Sequence, residues 1–253
     1  MRTRFSRIIV LGVLVLATAA PASAITFGEV DTENTYSNVG GLIFEFEGEF
    51  FLGCTGTLIA PDVFLTAAHC VVEGETVFVS FDPLIDGNST LLPGVAHPHP
   101  DFACCGASDT FDIAVVVLDD PVAGIQPAAL ATANQLGLLS SKALRRSTFV
   151  AVGYGAVRDD KTGGWKSLED NQQRRFASQT ANSLTGAWLN LSMNPSTGDG
   201  GTCYGDSGGP HFLGSRLVSL TVTGDRWCRA TDKTYRVDTP VARDFLDEYV
   251  TLP

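Results

Sequence analysis

The chain has 253 residues, of which 44% are hydrophobic and 18% are charged, so it can bury a substantial core and is not a disordered tail. Lysine and arginine number 17 against 28 aspartates and glutamates, which gives a formal net charge of −11. This acidity argues against nucleic acid or an anionic membrane surface as a partner.

The first 24 residues have the composition of a secretory signal peptide. Arg2, Arg4 and Arg7 form a cationic start, residues 8–20 are apolar, and the Ala-Ser-Ala of residues 22–24 offers a cleavage site. The apolar stretch is shorter than the roughly 20 residues of a membrane-spanning helix, which disfavours a membrane anchor. We therefore predict export. Removal of the three arginines leaves 14 basic against 28 acidic residues, a net charge of −14.

From Ile25 onward, short runs of β-branched and aromatic residues alternate with clusters of glycine, proline, aspartate and asparagine. This pattern predicts an all-β fold of antiparallel strands, as in a sandwich or barrel. The clearest candidate strands are residues 41–46, 63–65, 76–81, 113–118, 148–152 and 217–223.

Two segments differ from this strand pattern. Residues 122–146 are richer in alanine, leucine, glutamine and serine. This composition predicts a segment that connects two sets of strands and has room for one short helix. At the C terminus, Thr239 as N-cap and Pro240 at the first helical position predict a helix over residues 240–252 that packs on the second set. Its apolar stripe consists of Val241, Phe245, Leu246, Tyr249 and Val250.

The six cysteines indicate disulfides in an exported chain, although the spacing does not choose among the possible pairings. Cys104 and Cys105 are adjacent, so a bond between them would be strained, and both free thiols and cross-pairing stay open. The other four cysteines have no Cys-x-x-Cys spacing, which disfavours a zinc site. They are Cys54, Cys70, Cys203 and Cys228.

The run Gly205-Asp206-Ser207-Gly208-Gly209-Pro210 surrounds one hydroxyl with residues suited to a tight, exposed turn. Amides of such a turn can stabilise an oxyanion by about 2.7–4 kcal/mol per donor, whereas the alternative is an idle serine in a glycine-rich loop. The same short pattern marks the nucleophile of α/β-hydrolases, in which the acid and the histidine follow the serine. Here the only later histidine is His211, four residues on, so we reject that interpretation.

The sequence also offers a base and a carboxylate for this serine. His69 follows the apolar residues 63–65, and Asp112 stands before an apolar run, where a buried acid is costly unless it is paired. An imidazole N–H would pair it, and a serine nucleophile needs such an oriented base. His97 and His99 could instead hold a metal, but no third ligand is near, so we predict that they line a loop and that the protein binds no metal.

In their order and flanking residues, His69, Asp112 and Ser207 resemble the chymotrypsin-like (trypsin-like) serine peptidase family, over nearly the whole mature chain. The resemblance implies two six-stranded antiparallel β-barrels, over about 25–125 and about 147–240, with the active site between them. His69 would be the general base, Asp112 its orienting group and Ser207 the nucleophile.

The resemblance implies further features of the site. The backbone amides of Gly205 and Ser207 would form the oxyanion hole. Disulfides would join Cys54 to Cys70 and Cys203 to Cys228.

Members of this family mature by exposing an apolar N-terminal residue whose ammonium group pairs with the acid beside the nucleophile. Ile25 directly follows the predicted cleavage site, and Val39 lies where the first family strand is expected. We therefore predict that signal-peptide removal itself creates an ion pair between Ile25 and Asp206. The alternative is that residues 25–38 form a short pro-segment or an untethered arm.

The resemblance places the substrate pocket at Gly201, Thr202, Tyr204, Val222, Thr223, Gly224 and Lys233. Gly201 stands where trypsin-type members have an acid, and Val222-Thr223-Gly224 stands where members usually have Ser-Trp-Gly. A Lys233 side chain that points into the pocket would favour an acidic substrate side chain. One that points to solvent, as we expect because lysines are mostly exposed, fits a small or medium apolar side chain.

These features together predict a secreted, extracellular serine endopeptidase that is monomeric and needs no cofactor. Its substrate would be a protein or peptide cleaved through an acyl-enzyme, with no nucleic-acid partner and no membrane contact after signal removal. Its rate should rise as the histidine base loses its proton toward neutral pH. The alternatives are a catalytically silent binding homologue on the same scaffold and a metal-dependent hydrolase, which only His97 and His99 support.

Overall fold

The computed structural model describes residues 25–103, 109–158 and 168–253. The predicted signal peptide of residues 1–24 and the pair Cys104 and Cys105 lie outside these residues. No helix in the described part of the chain is both long and apolar enough to cross a membrane.

Strands dominate the described residues, and each candidate strand named from the sequence coincides with one of them. In chain order they are β1 (Glu29–Val30), β2 (Val39–Phe46), β3 (Glu49–Ala60), β4 (Val63–Thr66), β5 (Thr76–Ser80), β6 (Leu92–Pro98), β7 (Ala114–Leu118), β8 (Ala129–Leu130), β9 (Thr148–Gly153), β10 (Val157–Arg158), β11 (Leu168–Glu169), β12 (Arg175–Leu184), β13 (Trp188–Ser192), β14 (Pro210–Leu213), β15 (Arg216–Gly224) and β16 (Thr231–Arg236).

The first barrel is closed and antiparallel, in the order β2-β3-β4-β7-β6-β5. Pairing of β2 with β5, with Gly41 opposite Ser80, closes the ring. Alternate residues of these strands point inward, and Leu42, Phe64 and Val116 are fully buried there. Burial of this apolar face is the main term that stabilises the barrel.

The second barrel has the ring order β12-β13-β16-β15-β14-β9, and pairing of β9 with β12 closes it. The strand β8 is added in parallel beside β15. Phe149, Leu189 and Tyr235 are fully buried within the barrel region. Two six-stranded antiparallel barrels confirm the predicted fold class, and the short β10–β11 pair lies outside both rings.

The first described residues pack on the second barrel, although the sequence analysis assigned about 25–125 to the first. Strand β1 pairs with β12, and Thr26 forms an isolated bridge with Gly201, so residues 25–30 attach to the second barrel and the first barrel begins at Val39. A buried ion pair between Arg174 and Asp31, 3.0 Å from Nε to Oδ2, holds this segment. The segment is therefore docked rather than untethered.

The connection between the barrels contains the one short helix that the sequence allowed, α1 (Ser141–Arg146). Its N-cap is Ser140, whose hydroxyl accepts a hydrogen bond from the Ala143 amide at 3.1 Å. This cap satisfies a backbone donor that the first turn of a helix leaves unpaired.

The C-terminal helix α2 spans Pro240–Leu246, so it ends six residues before the predicted limit. Thr239 caps it as predicted, accepting from the Ala242 amide at 3.3 Å. After Leu246 the chain tightens into a turn, in which the Tyr249 amide donates to the Leu246 carbonyl. The apolar face is also narrower than predicted, because Val241 lies on the exposed side.

Candidate active site

His69 and Asp112 meet because they lie at the same edge of the first barrel. His69 belongs to a 3₁₀ turn that begins two residues after β4, Asp112 lies two residues before β7, and the two strands pair with Thr66 opposite Ala114. Both oxygens of the buried Asp112 carboxylate accept hydrogen bonds from His69, one from the backbone amide at 3.0 Å and one from ring Nδ1 at 2.8 Å. A proton held on Nδ1 leaves Nε2 free to act as a base.

The turn that carries Ser207 is packed against the segment that precedes His69. Gly205 and Gly208 have φ values of +95° and +79°, which favour glycine. A Cβ atom on Gly208 would lie 2.2 Å from Thr66 Oγ1, so no larger residue fits there. The Thr55 amide donates to the Ser207 carbonyl at 2.9 Å, which anchors the turn to the first barrel.

These contacts bring the elements that carry the three predicted catalytic residues together. Among the described residues, the hydrogen bonds of His69 side-chain and backbone nitrogens all go to Asp112, and none joins His69 to the Ser207 hydroxyl. Bonds between a catalytic serine and its base are often long until substrate binds.

Two backbone amides of the turn that carries Ser207 have no hydrogen-bond acceptor among the described residues. The amides of Asp206, Gly208 and Gly209 donate to the carbonyls of Cys203, Thr221 and Asp206. The amides of Gly205 and Ser207 make no hydrogen bond within the described part of the chain. They are the two donors that the sequence analysis assigned to an oxyanion hole, and unpaired donors of this kind suit that task.

The Asp206 side chain is completely buried and accepts hydrogen bonds from the amides of Gly155 (2.7 Å) and Cys203 (2.8 Å). Burial raises the pKa of this carboxyl to about 7, and the negative charge of Asp232 acts in the same direction, while the two hydrogen bonds oppose them. No cation pairs with Asp206 among the described residues.

Ile25 is completely buried, and the next residue, Thr26, is hydrogen-bonded to Gly201. The Gly201 amide donates to the Thr26 carbonyl at 2.9 Å, and the Thr26 hydroxyl donates to the Gly201 carbonyl at 2.9 Å. In the full chain the nitrogen of Ile25 belongs to a peptide bond with Ala24, so it carries no charge. The predicted ion pair with Asp206 therefore stays a prediction about the processed protein.

A cavity of about 180 Å³ opens beside Ser207. Five of the seven predicted pocket residues line it, namely Thr202, Tyr204, Val222, Thr223 and Gly224. Thr221, Asp225 and the half-cystines Cys203 and Cys228 also line it, and the sequence analysis did not place them in the pocket.

Two predicted pocket residues do not line this cavity. A Cβ atom on Gly201 would point at Gln179 and Met193, away from the cavity, because the backbone there is turned by its bridge to Thr26. The Lys233 ammonium lies 4.1 Å from the centre of the Trp188 ring, a cation–π contact outside the cavity. The cavity therefore lacks two of the residues that the resemblance assigns to the pocket, and the full extent of the substrate pocket stays a prediction.

Asp225 is the one carboxylate among the described residues that line the cavity, and backbone amides already stabilise its charge. Burial raises the pKa of Asp225, but hydrogen bonds from the amides of Arg229, Ala230, Thr231 and Trp227 outweigh it and lower the pKa below its usual value. The carboxylate therefore holds the loop after β15 in place. The sequence signal that could have identified Asp225 was its position directly after a strand, where aspartate often forms a turn.

Comparison with known proteins decides the family. The family model described as Trypsin matches residues 32–247. The chain belongs to the trypsin family. This is a family of serine-type endopeptidases, so its members act on protein substrates.

Individual relatives of this chain support the same family assignment. The protein named trypsin, alkaline C, from Manduca sexta is 28% identical over 250 residues, which is 87% of this chain and 89% of that relative. A trypsin from Saccharopolyspora erythraea is 28% identical over 184 residues, 70% of this chain and 77% of the relative. Serine protease SP24D from Anopheles gambiae is 29% identical over 213 residues, 76% of this chain and 73% of the relative.

A solved structure titled HL collagenase superposes with a TM-score of 0.69 at 17% identity. The match covers 90% of this chain and 100% of that chain. At this identity the likeness shows that the two proteins share a fold.

Both disulfides implied by the family resemblance are confirmed. Cys54 is bonded to Cys70 across 16 residues, directly beside His69, and Cys203 is bonded to Cys228 across 25 residues, in the pocket wall. Disulfides are typical of proteins from oxidising compartments, in agreement with an extracellular trypsin-family member.

The remaining histidines of this trypsin-family chain have structural partners. His97 Nδ1 lies 3.0 Å from Glu73 Oε1, and the ring of His99 packs against Phe111. His97 belongs to β6 rather than to a loop, which corrects part of the prediction for this pair. His211 is fully buried, with Nε2 3.1 Å from Asp232 Oδ2.

Proposed function

We propose that the chain is a secreted serine endopeptidase in which Ser207 is the nucleophile, His69 the general base and Asp112 the orienting carboxylate. The observation that carries this proposal is the pair of hydrogen bonds from His69 to the buried Asp112 carboxylate, at 3.0 and 2.8 Å. They fix both the position of the ring and the nitrogen that carries its proton. Secretion rests on the signal-peptide composition of residues 1–24.

The proposed reaction proceeds through an acyl-enzyme. The Ser207 oxygen attacks the scissile carbonyl carbon while its proton passes to His69 Nε2, and the amides of Gly205 and Ser207 stabilise the resulting oxyanion. The C–N bond then breaks, and His69 gives its proton to the leaving amine. In the second half, water attacks the ester with the same base, and the proton returns to the Ser207 oxygen.

Labelling with a serine-directed fluorophosphonate tests this proposal. The secreted protein should be labelled once and should hydrolyse peptides, and Ser207→Ala should abolish both, with a fall in kcat of about 10⁶-fold. A silent homologue would bind peptides without labelling or turnover. Failure of the wild-type protein to react, once its N terminus is shown to be processed, would contradict the assignment.

Activation is the second part of the proposal. Loss of residues 1–24 would give Ile25 an ammonium group that pairs with Asp206, so that one cleavage both exports and activates the protein. The burial of Ile25 and the uncompensated burial of Asp206 support this pairing. N-terminal sequencing of the active secreted form should read Ile-Thr-Phe-Gly, and a later start would reject this route.

For the residue on the acyl side of the scissile bond, we infer a preference for a small or medium uncharged side chain. Val222 and the hydroxyls of Thr202, Thr221 and Thr223 give the cavity a mixed apolar and polar wall. Because the Asp225 carboxylate is occupied by backbone amides, it is a poor partner for a basic side chain and still repels an acidic one. A fluorogenic peptide library tests this inference, and dominant cleavage after Arg, Lys or Glu would contradict it.

A further inference from the structure

Thr55 joins the first barrel to the catalytic turn, which is the turn that carries Ser207. The residue belongs to β3 and is completely buried. Its side-chain hydroxyl donates a hydrogen bond to the Gly205 carbonyl at 2.9 Å, and its backbone amide donates to the Ser207 carbonyl at 2.9 Å. One residue of the first barrel therefore holds two carbonyls of a turn that leads into the second barrel.

A third contact fixes the direction of the Thr55 hydroxyl. Its oxygen accepts a hydrogen bond from the amide of Tyr154, the residue that directly follows β9, at 3.3 Å. A backbone amide can only donate and a carbonyl can only accept, so the hydroxyl proton points at the Gly205 carbonyl. The hydroxyl is therefore bonded on both sides, and β3, the end of β9 and the catalytic turn meet at this one group.

The two carbonyls that Thr55 holds belong to Gly205 and Ser207, whose amides have no acceptor among the described residues. Gly205 needs this support, because glycine has the widest freedom of backbone rotation and its φ here is +95°. The peptide before Gly205 is held through its carbonyl, which accepts from the Ala156 amide at 2.7 Å. The peptide after it is held at its N–H, which belongs to Asp206, and at its carbonyl, which accepts from the Thr55 hydroxyl.

We propose that the Thr55 hydroxyl is a positioning group for the oxyanion hole, which keeps the Gly205 amide aimed at the substrate oxygen as that oxygen becomes negative. This inference rests on the proposed function, because the oxyanion forms only when Ser207 attacks. Donors stabilise a developing charge most when they are oriented before it appears. Removal of the hydroxyl leaves the Gly205 carbonyl and the Tyr154 amide without this partner, so the turn gains freedom to rotate. The transition state should then be bound less tightly, whereas the uncharged substrate should be bound almost as before.

A pair of inhibitors isolates the oxyanion from the rest of the site. In an acetylated peptide that ends in valine aldehyde, the Ser207 oxygen bonds to the aldehyde carbon, an electron pair of the C=O bond moves to the aldehyde oxygen, and the Ser207 proton passes to His69. The adduct therefore places an oxygen where the oxyanion forms. The matching peptide alcohol can fill the same pocket but has no carbonyl to attack. The measured quantity is the ratio of the inhibition constant of the alcohol to that of the aldehyde, which does not depend on the amount of active protein.

Three variants of Thr55 separate the hydroxyl from the rest of the side chain. Thr55→Ala and Thr55→Val lack the hydroxyl and should lower the ratio about tenfold, the size expected when one hydrogen bond is lost and its partners are left unpaired. Thr55→Ser keeps the hydroxyl and should keep the ratio within about twofold of the wild type. For a peptide substrate, the two hydroxyl-free variants should lower kcat about tenfold and change KM by no more than about twofold.

Thr57 provides the matched control. It lies two residues further along β3 and is completely buried, but its hydroxyl has no hydrogen-bond partner among the described residues. Thr57→Ala and Thr57→Val should therefore leave the ratio unchanged. Thermal unfolding of every variant establishes that it is folded before its inhibition constants are compared.

Three results would overturn the proposal. They are a folded Thr55→Ala or Thr55→Val enzyme that keeps the wild-type ratio, a Thr55→Ser enzyme that loses as much as Thr55→Ala, and an equal loss in the Thr57 variants. The last result would mean that the effect comes from β3 as a whole. A processed wild-type protein that binds the aldehyde no more tightly than the alcohol would instead contradict the proposed function, so the two failures are distinguishable.

Discussion

Asp112 lies at the edge of the first barrel and Asp206 lies in the catalytic turn, and these two buried carboxylates are held in different ways. Asp112 accepts one bond from a backbone amide and one from the His69 ring, which can carry a positive charge. Asp206 accepts two bonds from backbone amides, has no cationic partner among the described residues, and has its pKa raised to about 7.

This difference separates two tasks that buried acids perform. The first barrel supplies the complete partner for Asp112 from its own strands, so that pair exists as soon as the barrel folds. The charge of Asp206 is left to be balanced by a group that the described residues of the full-length chain do not supply. A buried carboxylate without a partner is a cost that processing of the N terminus could remove.

The largest effect should come from breaking the Asp112 pair. Asp112→Asn keeps the size of the side chain but replaces one acceptor with a donor, so the ring of His69 would hold its proton on the wrong nitrogen. We expect kcat for peptide hydrolysis to fall by about 10⁴-fold with little change in KM. Thermal unfolding should show that the variant is folded, and a kcat within tenfold of the wild type would mean that His69 does not depend on this carboxylate.

The next prediction concerns the pH dependence of stability that Asp206 causes. The pKa of the Asp206 carboxyl group is raised from 3.8 to about 7, so the folded state favours its neutral form. The contribution of this group to the free energy of unfolding is therefore fully present below pH 3.8 and is lost as the pH rises through 7. In the unprocessed chain the loss should reach about 4 kcal/mol. A chain that begins at Ile25 should lose much less, because its ammonium group stabilises the charged carboxylate.

Urea unfolding at several pH values would measure this difference, with Ser207→Ala in both chains to prevent self-cleavage. Asp206→Asn in the unprocessed chain is the control, since it removes the titrating group and should flatten the profile. Identical profiles for the processed and unprocessed chains would show that Ile25 does not reach Asp206.

The two disulfides extend the comparison to the two barrels. Replacement of either pair by serines should lower the free energy of unfolding by about 3 kcal/mol, because each bridge closes a loop of similar length. Loss of the bridge between Cys203 and Cys228 should also raise KM, since both residues line the pocket. Denaturant unfolding and steady-state kinetics on the same samples would separate the two effects. An unchanged KM would show that the pocket wall does not need the bridge.

The smallest effect is expected at Lys233. Its ammonium group lies over Trp188 rather than in the pocket, so Lys233→Gln should change the relative kcat/KM for acidic and neutral substrates by no more than about twofold. A selective loss of activity toward acidic side chains would place Lys233 in the pocket after all.

The strand pattern, the length of the connection and the capped C-terminal helix were readable from the sequence because they depend on neighbouring residues. Runs of β-branched and aromatic residues between turn residues located six of the sixteen strands that the structure describes, and Thr239 capped its helix as expected. The end of that helix was missed, since the turn after Leu246 follows from packing of its aromatic side chains against the barrels rather than from a local stop signal.

By itself, the sequence determined which groups are available for chemistry: one serine in a glycine-rich turn, one histidine beside a cysteine, and one aspartate before a buried strand. The tertiary structure decided which of them meet. Pairing of β4 with β7 brings Asp112 to His69 from 43 residues away, and the docking of residues 25–30 on the second barrel could not be read locally. It also decided the pocket wall, because contacts with distant parts of the chain set the backbone direction at Gly201 and the position of the Lys233 side chain.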